Sequence, residues 1–162
     1  MSETDPSLTW NLSNASDPSA PGCDLVRQWL HEHNWAVNPA FMDKLQHPDH
    51  AARPLILLTH ANREVVGGLL AETQLSWLRI SIMSVHPEWR SKDIGAALLA
   101  EAEQQALSRG CKHVYVDTMD YQAPQFYLSH GFELVGSIPD WDSHGQSKMY
   151  FSKPLKAPAF SP

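Results

Sequence analysis

Cysteine and basic charge are both scarce in this sequence, and no long apolar run occurs. Two cysteines, Cys23 and Cys111, stand far apart. They are too few for a disulfide framework and lack metal-ligand spacing, which points to reduced thiols in a cytoplasmic protein. Only 12 Lys and Arg face 18 Asp and Glu, for a formal net charge of -6. Neutralising duplex phosphates takes clustered basic residues, so no nucleic-acid partner is expected. No stretch approaches the ~20 apolar residues that cross a bilayer, so no membrane association is expected. Met1–Asp5 has neither a basic start nor an apolar run, so no signal peptide is expected. The Gly-x-x-x-x-Gly-Lys-Ser/Thr pattern is missing too, which argues against a nucleotide-phosphate enzyme.

What is present suits one globular unit. With 162 residues and 43% apolar content, the chain can form a single domain over 1–162, with 155–162 as a flexible tail. Leu8, Trp10 and Leu12 alternate, so a short strand is expected near 7–12. Leu25, Val26, Trp29 and Leu30 recur at helical spacing over 23–34, and a second short helix fits Pro39 to Leu45. A meander follows: Leu55–Leu58, Val65–Thr73 and Trp77–Val85, the first two joined by a turn at Ala61–Glu64. In the third strand Leu78, Ile80 and Ile82 alternate against Arg79, Ser81 and Met83. Gly95–Arg109 reads as a helix with Leu98, Leu99, Ala102 and Ala106 inward and Gly110 as its left-handed stop. Val114–Val116, a helix over Gln122–His130 stopped by Gly131, and strands Phe132–Val135 and Ser147–Phe151 complete the chain. The expected architecture is a mixed, mostly antiparallel α/β sheet of six to seven strands with helices on both faces.

The segment Val85-His86-Pro87-Glu88-Trp89-Arg90-Ser91-Lys92-Asp93-Ile94-Gly95-Ala96 carries chemistry. A strand ends, a polar turn follows and a helix begins. Such a turn aims several backbone N–H groups at one spot, and the helix dipole adds partial positive charge there. Arg90 and Lys92 add formal charge, and Gly95 permits close backbone approach. A pyrophosphate would be held by such a set. An ordinary strand-to-helix connection with exposed basic residues has the same spacing.

Val85-x-Pro87-x-x-Arg90, followed by Gly95 and Ala96-Ala97-Leu98-Leu99, resembles the cofactor motif of the GNAT superfamily of acetyltransferases. A second stretch, Ala123-x-x-Phe126-Tyr127-x-x-x-Gly131-Phe132, matches the family's downstream pattern at the right separation. The resemblance implies a GNAT-like three-layer fold. It implies acetyl-CoA as co-substrate, no metal, and transfer of acetyl to the primary amine of a small-molecule acceptor in a ternary complex. Met83, Ser84 and Val85 would pair with the pantetheine arm. Arg90, Ser91, Lys92, Asp93, Ile94, Gly95 and Ala96 would cradle the pyrophosphate. Phe126 and Asp120 would also line the cofactor, and Tyr127 would be the general acid. A homodimer is common in the family. Two residues depart from its pattern. Asp93 stands where Gly is usual, and can either cap the helix or oppose the phosphates. Asp120 stands where Asn is frequent, and an ionised Asp accepts but does not donate. A competing reading is a catalytically impaired acyl-CoA-binding or sensing module.

The general base is not singled out: Glu72, Asp117 and a water relay are alternatives. Cys111 follows a helix stop and reads as inert packing. His31/His33 and His47/His50 lack an accompanying acid at metal-site spacing and read as surface residues. Trp29 and Trp77 are expected in the core. Trp35 and Trp141 are expected in loops, and the loop from Trp141 to Gly145 is the candidate for acceptor selection.

Overall fold

The computed structural model describes residues 10–156. The chain divides after Gln46 into two units. In the first, α1 (Cys23–Val37) and α2 (Pro39–Gln46) pack on each other. Residues 10–12 form no strand, and residues 7–9 of the expected strand lie outside the described residues. Trp35 is helical rather than in a loop, donating from Nε1 to His31 Nε2 at 3.1 Å. Trp29, expected in a core, is 61% exposed.

The second unit holds β1 (Arg53–Ala61), β2 (Glu64–Gln74), β3 (Trp77–Val85), α3 (Ile94–Ser108), β4 (His113–Met119), α4 (Pro124–Ser129), β5 (Glu133–Ile138) and β6 (Lys148–Pro154). They form one six-stranded sheet in the order β1-β2-β3-β4-β6-β5. Only β3 and β4 are parallel; every other pair is antiparallel. The β1–β2 hairpin turns on Asn62 and Arg63, both at positive φ (49° and 71°), which matches the right-handed twist of the strands it joins.

α3 lies across β1, β2 and β3 and buries Leu98, Leu99, Ala102 and Ala106, the stripe expected from its spacing. They meet Leu55, Leu69, Leu78, Ile80, Val114, Val116 and Phe151 in one core. α4 shares this face, since Tyr127 packs on Phe151, which pairs with the buried Val116. Lys153 ties the layers together. Its ammonium lies 2.8 Å from Glu103 on α3 and 2.9 Å from the His130 carbonyl after α4. Gly110 ends α3 at φ 85°, as its position suggests. Trp77 is 38% exposed rather than buried, and stacks on His113 with centroids 4.7 Å apart.

One irregularity changes the expected phase of β3. Leu70 pairs with Ile82 while Ala71 pairs with Ile80, so Ser81 is an extra residue in the strand. A bulge of this kind shifts every later side chain to the other face. Ile82, expected inward with Leu78 and Ile80, is therefore exposed, and Met83 turns towards the core instead.

These positions separate core from turn in a denaturation experiment. Ile80→Ala should cost about 2–5 kcal/mol, as deletion of buried methylenes does. Arg63→Gly should add about 0.5–1 kcal/mol, because glycine adopts the left-handed turn without steric penalty. Urea midpoints at constant slope would measure both. A neutral Ile80→Ala would contradict the packing of β3.

Candidate active site

The site begins where β3 and β4 stop pairing. They share four rungs, from Trp77–His113 to Ile80–Val116. Beyond that, β3 stays with β2 as far as the Gly67–Val85 pair, and β4 stays with β6 as far as Met119–Lys148. Residues 81–85 and 117–119 therefore face each other across an open wedge, each with free main-chain groups on alternate residues. The bulge at Ser81 sits at its vertex, where the twist it adds turns the two strands apart. Met83, Ser84 and Val85 line the β3 side.

Val85 leads into a tight turn (Pro87–Trp89) and then α3. The Arg90 Nε donates to the Val85 carbonyl at 3.2 Å, which fastens the loop to the strand end. Ser91 and Asp93 both adopt left-handed φ near 58°. Alternation of left- and right-handed residues turns successive N–H groups inward into an anion-binding nest. Among the described residues, the N–H groups of Ser91, Lys92, Asp93, Ile94, Gly95 and Ala96 meet no acceptor. The first helical bond is Ala97 N–H to Asp93 O at 2.9 Å. Lys92 holds its ammonium 4.7 Å above the Trp89 ring, beside the same loop.

For Asp93 the capping alternative is not realised. Its side chain makes no capping hydrogen bond. It occupies a left-handed position that glycine takes freely and aspartate tolerates, and its side chain is exposed. At Gly95 the neighbouring side chains leave room. A Cβ there would stand 3.4 Å from the Phe126 ring, an ordinary contact. The tighter approach is at Gly67, where a Cβ would meet Ile94 Cγ2 at 3.1 Å. Gly67 thus seats the start of α3 on the sheet. Sequence reading passed over it, although a Gly-Gly pair inside a strand signals close approach.

The other wall is built from α4 and the end of β4. Tyr127 is 5% exposed, with its ring against Phe126, Phe132 and Phe151. Its hydroxyl makes no hydrogen bond among the described residues, yet it is not sealed from solvent. Burial, reinforced by the charge of Asp117, pushes the Tyr127 phenol up to about 12. Asp120 accepts from the Ser147 N–H at 2.8 Å through Oδ2, while its buried Oδ1 has no partner. Such an orphaned acceptor is costly unless a donor reaches it. Phe126 is half-buried between Gly95 and the His130 ring.

Both candidate carboxylate bases are engaged. Glu72 lies 3.6 Å from Arg79, and Asp117 lies 2.8 Å from Lys148. The Tyr115 hydroxyl also donates to Asp117 at 3.2 Å, and this phenol is likewise raised to about 12, first by burial and then by Asp117. Cys111 is buried and its thiol is raised by that burial, so it offers no thiolate nucleophile. Trp141 lies in a loop as expected, with Lys148 over its ring. That loop is internally braced: Asp140 and Asp142 accept from the N–H groups of Gly145, His144 and Gln146. No helix among the described residues is long and apolar enough to cross a membrane.

Comparison with known proteins identifies the family and the fold. Residues 53–134 match the family model "Acetyltransferase (GNAT) domain". A blasticidin-S acetyltransferase from Streptomyces morookaense is 37% identical over 109 residues, 64% of this chain and 80% of that protein. An acetyltransferase from Bacillus cereus has the same fold, with a TM-score of 0.69 at 21% identity over 88% of this chain and 98% of that one. An aminoglycoside 6'-N-acetyltransferase complexed with coenzyme A superposes with a TM-score of 0.58 at 18% identity, covering 83% of this chain and 88% of that one.

The position of Asp93 yields a binding test. Asp93→Gly should tighten coenzyme A binding several-fold, because a carboxylate ~4 Å from a phosphate costs ~1 kcal/mol even in water. Calorimetry with coenzyme A at two ionic strengths would read it. Unchanged or weaker binding would mean that Asp93 does not oppose the anion.

Proposed function

The chain belongs to the GNAT family and is an acetyltransferase, and we propose that it moves acetyl from acetyl-CoA to a primary amine of a small-molecule acceptor by direct attack. The wedge between β3 and β4, with the row of free N–H groups at its mouth, is the observation that carries this reading. Met83, Ser84 and Val85 offer main-chain groups for a pantetheine arm to join as an added strand. Asp120 Oδ1 is suited to accept one of that arm's amide N–H groups. The N–H groups of Ser91–Ala96, with Arg90 and Lys92, would take the pyrophosphate. A free N–H on the wedge side of β3 would polarise the thioester carbonyl.

In the chemical step the amine nitrogen bonds to the thioester carbon, the C–S bond breaks, and sulfur leaves with the electron pair. Tyr127 donates to that sulfur. Its high pKa limits how. A thiol near 8.5 draws a proton from a phenol near 12 only uphill, by about 3.5 units or about 5 kcal/mol. Tyr127 therefore serves chiefly as a hydrogen-bond donor that steadies developing negative charge, and the thiolate is stable enough to leave without full protonation. The ammonium formed at nitrogen loses its proton to water, since Glu72 and Asp117 are already ion-paired. Direct attack is preferred over an acyl-cysteine route because Cys111 is buried and un-ionised.

The test is thiol release from acetyl-CoA over an amine panel that includes blasticidin S, the acceptor in the name of the Streptomyces relative. Asp93 favours one competing reading, a cofactor-binding module without turnover. Tight acetyl-CoA binding with no thiol release across the panel would establish that instead.

Tyr127→Phe should lower kcat by about 10–100-fold, within or below the usual span for a positioned acid, with little change in coenzyme A affinity. The phenol stays protonated below pH ~11. Any alkaline limb seen below that pH should persist in the variant. Wild-type kcat in Tyr127→Phe would remove it from the mechanism.

A further inference from the structure

A second organised surface lies on the sheet face opposite α3 and α4. Directly opposed strand residues share a face, and neighbours alternate. Val116 and Phe151 point into the core, so Tyr115 and Asp117 on β4 and Lys148 and Tyr150 on β6 point the other way. Asp117 is the first β4 residue past the last rung shared with β3, at the vertex of the wedge. Lys148 Nζ lies 2.8 Å from Asp117 Oδ2, and 4.7 Å and 5.9 Å from the ring centroids of Trp141 and Tyr150. Tyr115 donates to Asp117 Oδ1.

Neither ion has spent its capacity. An ammonium has three donors, and among the described residues Lys148 uses one, on Asp117. A carboxylate accepts up to about four hydrogen bonds, and Asp117 receives two. Their side chains remain 23% and 33% exposed, so a solute can reach both. A cation and an anion with spare valences thus stand together beside the point where acetyl would be transferred.

We propose that the Lys148–Asp117 pair recognises zwitterionic acceptors, in which a carboxylate neighbours the amine to be acetylated. Lys148 takes the carboxylate and Asp117 orients the amine. This inference rests on the acetyl transfer proposed above. A simple cationic amine is less well matched. The faces of Trp141 and Tyr150 are already covered by Lys148, whose like charge repels it, and capturing Asp117 would strip Lys148 of its counter-ion. A zwitterion supplies each ion with an opposite charge and leaves the pair intact. The hydrogen bond to Asp117 raises Lys148, so it stays charged throughout the neutral range.

The body of the acceptor has a place on the same face. A cavity of about 320 Å³ is lined by Gln74, Leu75, Trp77, Arg79 and Tyr115. Tyr115 belongs to both the cavity and the ion pair. A planar side group would lie against Trp77 and Tyr115, which directs the choice of probes.

Matched pairs test the proposal: L-phenylalanine against 2-phenylethylamine, and L-tryptophan against tryptamine. Each is assayed by thiol release from acetyl-CoA with the full chain, K148M and K148R. The wild type should favour the amino acids at least tenfold in kcat/KM. K148M should bring that ratio towards one through KM for the amino acids, and K148R should restore it. A purely structural Lys148 would change both members of a pair alike. Equal or reversed preference in the wild type, or a preference retained by K148M, would overturn the proposal. Acetylation of blasticidin S with rejection of both amino acids would overturn it too. Absence of thiol release with every amine, despite coenzyme A binding, would instead remove the transferase reading on which it stands.

Discussion

The parting of β3 and β4 after four rungs is the constraint on which the rest of the site depends. A parallel pair that continued to Val85 and Met119 would satisfy its own main chain and leave no room for a ligand. The pair separates because each strand has a second neighbour that holds it further along. β2 holds β3 to Val85, and β6 holds β4 to Met119. Ser81 adds local twist where they diverge. Unpaired N–H and C=O groups inside a protein are costly unless something pairs with them. On the proposed function an extended chain bearing amides, the pantetheine arm, would supply those partners in the wedge.

Electrostatics then divide the wedge. At its mouth the loop before α3 gathers N–H groups without acceptors among the described residues, with Arg90 and Lys92, in a protein whose net charge is -6. It does so with few formal charges, because Ser91 and Asp93 in left-handed conformations turn neutral N–H groups inward. Asp93 adds to the same loop a carboxylate that caps nothing. At the vertex the balance differs. Tyr127 is buried among aromatic rings and kept protonated, whereas Asp117 on the opposite face is neutralised by Lys148. Donor and acceptor chemistry thus sit on opposite sides of one sheet.

Much of this was legible in the sequence, and the gaps have physical causes. The stripe Leu98, Leu99, Ala102 and Ala106 predicted the buried side of α3, because a helix of 15 residues averages over local irregularity. The two GNAT motifs located the wedge and the loop, and the family match over 53–134 agrees with them. The phase of β3 was not legible past Ile80. One extra residue at Ser81 inverts a period-2 pattern without changing its composition, so Ile82 and Met83 exchange faces. Trp29 and Trp77, expected in the core, both remain substantially exposed. The ion pair of Asp117 and Lys148 was also out of reach. It joins residues 31 apart through the β4–β6 register, which no local pattern encodes. Alternation would have put Tyr115 with Asp117, and Lys148 with Tyr150, on common faces. Only the register puts the two pairs together.

The two faces also explain why a high pKa at Tyr127 is compatible with catalysis. Acetyl transfer creates positive charge on nitrogen and negative charge on sulfur at the same moment. If the amine approaches from the Asp117 face and sulfur departs towards Tyr127, the two charges develop on opposite sides of the sheet, each beside a group of suitable character. On the proposed reading Asp117 would favour the nascent ammonium without being protonated, and Tyr127 would favour the nascent thiolate without being deprotonated. Neither residue need change its charge for the barrier to fall. Stabilisation by preorganised dipoles and charges of this kind is commonly the largest contribution in such reactions. On that account the burial that makes Tyr127 a poor acid makes it a better fixed donor.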